Sequence, residues 1–204
     1  MNRTPPVIVG VVLVFASAWL GVAMYSYMTL GYLTSVPDKA SDSTLPPALS
    51  GLADAGQRVF AAEGCAYCHT QQVRPASISG DIEKKLGSRR TVARDFLYQQ
   101  PAAFGYLRIG PDLANYGLRA KDEAEVHRLL YQTGSAMPSY RYLYIVRPIS
   151  GQQSAEALVG LRGSYSPPEG YEVVPTPEAR ALAAYLLSLK QDYSLPEAPL
   201  EKAK

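Results

Sequence analysis

Within five consecutive residues, Cys65-Ala66-Tyr67-Cys68-His69, the chain gathers two thiols and an imidazole. On one helical turn, the two sulfurs can reach the two vinyl groups of a haem while the next residue offers its imidazole to the iron. This is the C-x-x-C-H pattern of c-type haem attachment. Two thioether bonds prevent haem loss in an open, exposed compartment. Other uses of the same residues fit less well. A zinc site usually takes four protein ligands, whereas the whole chain has two Cys and two His, and His127 lies far along the sequence. A thioredoxin-like dithiol needs a βαβ setting, and no strand pattern precedes Cys65. A structural disulfide leaves His69 unexplained. The expectation is one covalently bound haem c, held by Cys65 and Cys68, with His69 on the iron.

The second axial ligand is sought among the remaining Met and His residues. Met1, Met24 and Met28 belong to an apolar N-terminal stretch, which leaves Met137 and His127. Met137 sits in the loop Ser135-Ala136-Met137-Pro138-Ser139-Tyr140, where a thioether can be fixed toward the iron. His127 falls within a helix and reads as a satisfied structural or interface histidine. Met137 is therefore the expected ligand, in the Met/His pairing that raises a haem potential; an ordinary core methionine is the alternative. In Gly110-Pro111-Asp112-Leu113, Pro111 can offer a carbonyl to the second ring N–H of His69, and Leu113 can pack on the ring. The alternative there is a simple Gly-Pro turn. Arg74 is expected to meet a haem propionate or a partner subunit through its guanidinium. Arg108 reads equally as such a residue or as solvated charge.

These residues need elements to position them. From Gly51 to Glu63, residues Leu52, Ala55, Gly56, Val59 and Phe60 recur at helical spacing and run into the cysteines. Asp122 to Gln132 is a second helix, with Val126, Leu129 and Leu130 on its apolar side. A third opens at Thr176-Pro177-Glu178, a capping hydroxyl followed by a first-turn proline and an acid, and buries Leu182, Tyr185, Leu186 and Leu189. Between them the chain is rich in Pro and Gly, with no convincing run of strands. Such a segment folds around something rather than building its own core. The expected fold class is all-α.

Ahead of this head, Val7 to Leu33 carries no charge and is long enough as a helix to span about 30 Å of hydrocarbon. It exceeds the roughly 7–15-residue apolar core of a cleaved signal. Tyr25, Tyr27 and Tyr32 mark its exit at an interface. Arg3 precedes the span, whereas Asp38, Lys39, Asp42 and Asp54 follow it with a net negative balance, which places the N-terminus inside and the head outside. Ser17 and Gly21 form a small-xxx-small pair that would admit a second helix, or occur by chance. The expected organisation is a cytoplasmic N-terminus at 1–6, an anchor at 7–33, a Pro/Ser/Thr-rich linker at 34–50, a head at 51–190 and a polar tail at 191–204. With 20 Lys and Arg against 18 Asp and Glu, no basic field exists to attract nucleic acid.

The order of a helix with Gly56 and Phe60, then CAYCH, GPDL, a Met loop and a helix bearing Ala184-Tyr185-Leu186 resembles class I cytochrome c, and implies crossed first and last helices. A narrower likeness lies in CHTQQVRP (Cys68 to Pro75), FLYQQPAAFGYLRIGPDLANYG (Phe96 to Gly117), the His127 helix and SAMPSY. These are similar to the mono-haem subunit of cbb-type, C-family haem-copper cytochrome c oxidases. That pattern has Trp before the position of His127 and a further His after it, where this chain has Val126 and Leu129-Leu130. The resemblance implies an electron-transfer subunit in a bacterial inner membrane, with its haem domain on the periplasmic side. Electrons would come from a further cytochrome c subunit or a soluble cytochrome c and pass to the haem-copper catalytic subunit, which reduces oxygen. This chain lacks the histidine set for an oxygen site. Alternatives are a free membrane-anchored shuttle, the cytochrome subunit of nitric oxide reductase, and a haem-based sensor.

Overall fold

The computed structural model describes residues 4–38, 41–134 and 136–200 of the 204-residue chain. Arg3, Lys39 and Ser135 lie outside the described residues. An unbroken apolar helix runs over Thr4–Leu30, starting earlier and ending earlier than the uncharged stretch suggested. Its 27 residues measure about 40 Å at 1.5 Å per residue, long enough to cross a membrane. None of its side chains is buried. It ends where the Gly31 N–H donates to the Tyr27 carbonyl at 2.8 Å, with Tyr25, Tyr27 and Tyr32 outward.

Three longer helices, with a short one at Tyr116–Arg119 beside them, build the head among the described residues. Gly51–Ala62 is capped by Ser50, whose hydroxyl accepts the Ala53 N–H at 3.2 Å. Glu123–Tyr131 is capped by Asp122, which accepts the Glu125 N–H at 2.7 Å. Pro177–Ser188 is capped by Thr176 over the Ala179 N–H, with the proline in the first turn. In each case a short polar side chain satisfies a donor that the helix leaves unpaired. Four positions differ from the periodic reading. Leu52 and Leu129 face outward, while Gln57 and His127 turn inward where polar partners meet them.

The first and last of these helices pack together more extensively than any other pair of elements. Gly56 permits it: a Cβ there would lie 1.9 Å from the Ala181 carbonyl oxygen, far inside ordinary contact distance. One turn on, Phe60 meets Tyr185 edge to face with ring centroids 5.4 Å apart. Around this crossing Leu113, Val126, Leu130, Tyr131, Tyr144 and Leu182 close the main core.

The head is not all-α. Tyr144–Pro148 pairs antiparallel with Tyr171–Pro175, with Val146 opposite Val173. Glu172 is buried in this ribbon and accepts from Arg147 at 2.8 Å and from the Ser154 N–H at 2.7 Å. One charged residue in each five-residue strand, Arg147 and Glu172, paired across the ribbon, erased the alternation that would have revealed it.

The expected linker and tail are packed against each other. Val36–Pro37 pairs with Thr44–Leu45, and Leu45 is buried with Val92, Leu195 and Ala198 in a second cluster. Beside it Arg89 and Asp95 form a fully buried, bidentate ion pair at 2.7 and 2.9 Å. The Tyr193 hydroxyl donates to the same carboxylate at 3.0 Å and its carbonyl accepts from Arg89 at 2.7 Å. Residues 193–198 are thus held structure rather than a solvated tail.

Candidate functional site

The Gly51–Ala62 helix delivers the chain to a tight turn over Cys65–Tyr67. There the Cys68 and His69 N–H groups both donate to the Cys65 carbonyl, at 3.1 and 3.0 Å. Cys65, Cys68 and His69 are therefore held on one turn, all partly exposed, and both cysteines carry free thiols. Burial pushes the Cys65 thiol up to about 11, while a contact with the Tyr140 hydroxyl at 3.9 Å opposes it. The thiol is a neutral S–H at neutral pH.

His69 is oriented by a loop 42 residues further on. Its Nδ1 lies 2.8 Å from the Pro111 carbonyl oxygen. A carbonyl only accepts, so in the neutral ring Nδ1 carries the proton and Nε2 the lone pair. Gly110 lies flat against the ring, since a Cβ there would fall 2.3 Å from Cε1. The loop is bonded to the motif along its length: Tyr106 N–H to the Ala66 carbonyl at 2.8 Å, Gly110 N–H to Cys68 at 2.9 Å and Leu113 N–H to Thr70 at 2.7 Å. Leu113 is buried in the main core. Above it Tyr67 and Tyr106 stack at 5.2 Å.

A polar knot fixes this arrangement from behind. Asp112 is fully buried and accepts from the Thr70 hydroxyl at 2.6 Å, the Gln72 N–H at 2.7 Å and Arg108 at 3.2 Å. Arg108 also grips both oxygens of Asp81, at 2.7 and 2.8 Å, and donates to the Thr70 hydroxyl and the Gln72 carbonyl. Burial pushes the Asp81 carboxyl up, but hydrogen bonds from Arg108 and the Arg74 N–H outweigh it and hold it below its usual range. Arg108 is thus an internal brace, neither solvated charge nor a donor left over for a propionate or a partner. Arg74 contributes its backbone N–H to Asp81 at 2.9 Å and leaves its side chain exposed.

Met137 is half-buried and packs against the main core. Its loop is pinned to the Glu123–Tyr131 helix by the Tyr140 N–H on the Leu130 carbonyl at 2.9 Å and the Ser139 hydroxyl on the Tyr131 carbonyl at 2.7 Å. His127 is buried, with Nδ1 3.0 Å from the Tyr144 hydroxyl and Nε2 3.5 Å from Glu123. Burial lowers its pKa, and the Glu123 carboxylate partly offsets this. Both nitrogens are engaged away from the cysteine turn.

Sequence reasoning missed Asp81 and Asp112. Asp112 stood inside a motif noted for its neighbours. Asp81 had no signal, because its partner Arg108 is 27 residues away across a turn-rich stretch. Among the described residues no group of three or more His, Cys, Asp or Glu is placed to hold a metal ion. The donors at the cysteine turn are one imidazole lone pair and two thiols, which suit a macrocycle that brings four nitrogens of its own.

The turn that gathers two thiols and an imidazole thus stands in a chain with one N-terminal helix long and apolar enough to cross a membrane. Residues 22–160 match the family model described as "Cytochrome C oxidase, mono-heme subunit/FixO", well over half of the chain, and the chain belongs to this family. It is accordingly a mono-haem cytochrome c subunit of an oxidase complex. Comparison with curated proteins gives no match.

Proposed function

We propose that the head is a class I cytochrome c domain on a single membrane helix and passes electrons to the haem-copper subunit of a terminal oxidase. In this reading Cys65 and Cys68 hold one haem c covalently, and His69 and Met137 ligate its iron. The observation that carries it is the set of His69: a proton fixed at Nδ1 by the Pro111 carbonyl, a lone pair at Nε2, and two free thiols on the same turn. When bound, the haem supplies one-electron exchange between ferric and ferrous iron. Cys65 and Cys68 would hold the haem through one thioether each, at its two vinyl groups.

The Pro111 carbonyl raises the basicity of the imidazole and stops its rotation. Leu113 supplies apolar surface, and Arg74 offers a guanidinium to a propionate or to a companion subunit. Met137, on a loop pinned at Ser139 and Tyr140, supplies a thioether that raises the potential. The helix crossing at Gly56 supports the class I fold. Positive charge before the span and acids after it support a head on the periplasmic side of a bacterial inner membrane. The electron donor is a further cytochrome c subunit or a soluble cytochrome c.

The test is expression with a cytochrome maturation system, followed by haem staining of a denaturing gel. The native chain keeps its stain, and Cys65→Ser with Cys68→Ser loses it. A colourless native chain, or stain persisting in the double variant, overturns the attachment. Mild detergent extraction of the same material should bring down a multi-span haem protein; a lone chain points instead to a free shuttle.

A further inference from the structure

A groove of about 500 Å³ opens between the end of the membrane helix and the head. Leu30, Leu33 and Phe104 give it apolar lining, and Arg90, Arg94 and Glu197 give it polar lining. The helix of 27 residues, about 40 Å long, exceeds a hydrocarbon core of about 30 Å, and three exposed tyrosines cluster at its exit. Such rings settle at the headgroup layer. The groove therefore opens at the depth of lipid phosphates.

Its charge is unbalanced. Arg94 is committed to Glu197 at 2.7 Å and to the Thr34 carbonyl. Arg89, next along the chain, is committed to Asp95. Arg90 is exposed and gives one Nη2 hydrogen bond to the Glu197 carbonyl at 2.7 Å. Among the described residues its Nε and Nη1 make no hydrogen bond. Arg90 and Arg94 against the single Glu197 carboxylate, which is paired with Arg94, leave one surplus positive charge in the lining.

We propose that this groove binds one anionic phospholipid, with its phosphate on Arg90 and an acyl chain along Leu30, Leu33 and Phe104. Guanidinium and phosphate make strong, charge-assisted hydrogen bonds. The surplus charge favours a headgroup of net negative charge over one that carries its own cation. The site rests on Thr4–Leu30 crossing the bilayer and is independent of the haem ligands.

The experiment offers the full chain equal amounts of phosphatidylglycerol and phosphatidylcholine in mixed micelles and counts retained lipids by native mass spectrometry. The native chain should keep phosphatidylglycerol severalfold over phosphatidylcholine. Arg90→Gln should abolish the preference, Arg90→Lys should keep it, and Arg58→Gln, which breaks an exposed pair with Asp54, should leave it unchanged. Equal retention of the two lipids by the native chain, or an undiminished preference in Arg90→Gln, overturns the proposal. Alkaline extraction of the source membranes separates the two failures. A chain released by alkali refutes the span itself, whereas an integral chain without a preference refutes the groove alone.

Discussion

Gly110→Ala isolates the device that aims His69. The added Cβ would sit 2.3 Å from Cε1, 2.7 Å from Nδ1 and 2.8 Å from Nε2 of the imidazole, where apolar atoms prefer about 3.5–4.0 Å. Ring or loop must yield by more than about 1 Å. Either movement breaks the 2.8 Å contact between Nδ1 and the Pro111 carbonyl. Losing that hydrogen bond costs about 0.5–1.5 kcal/mol, and overpacking adds about 1–3 kcal/mol. For a chain of this size the total corresponds to a fall of roughly 5–15 °C in Tm. Thermal melts followed by circular dichroism measure the loss, and a redox titration with visible spectra reads the disturbed imidazole. Gly51→Ala is the control, because a Cβ at the start of that helix meets nothing within 4 Å. A Gly110→Ala protein with native Tm, spectrum and potential would refute the claim that the loop sets the ring.

Met137→Ala should leave haem attached but lower the potential, since a thioether ligand raises it; an unchanged spectrum and potential would remove Met137 from the iron. Arg89→Met leaves Asp95 charged and buried without its partner, and should cost about 3–5 kcal/mol in denaturant melts. The double variant with Asp95→Leu should recover much of that, and a single variant as stable as the native chain would contradict the buried pair. His127 has a folded pKa below its ordinary value because burial disfavours the imidazolium. The unfolded chain therefore binds that proton more readily, so the contribution is present above about pH 6.5 and lost as pH falls below it. His127→Gln should flatten this part of the stability profile, and an identical slope in native and variant chains would exclude it.

The residues nominated at the cysteine turn were legible because their chemistry is contiguous: CAYCH and GPDL each bring their groups within five residues. Helix starts were legible for the same reason, as Ser50, Asp122 and Thr176 each act within three residues of their own position. What escaped is non-local. Arg108 looked ambiguous because nothing near it in sequence announces Asp81. The ribbon escaped because Glu172 and Arg147 satisfy each other inside it. The packed C-terminal segment escaped because Leu195 and Ala198 form no periodic pattern, and their partners Leu45 and Val92 lie over a hundred residues away. Leu52 and Leu129 show the opposite error, apolar side chains that match the helical period yet face outward.

The clasp among Leu45, Leu195 and Ala198, sealed by Arg89, Asp95 and Tyr193, gathers the chain leaving the bilayer and the chain finishing the head into one knot. A head moored at both of its ends behaves as a mast, not as a buoy on a line. With Thr4–Leu30 in a bilayer, the redox centre proposed for it would stand at a set height and heading, and a companion protein would meet the same edge at every encounter instead of waiting for a swinging cargo to come round.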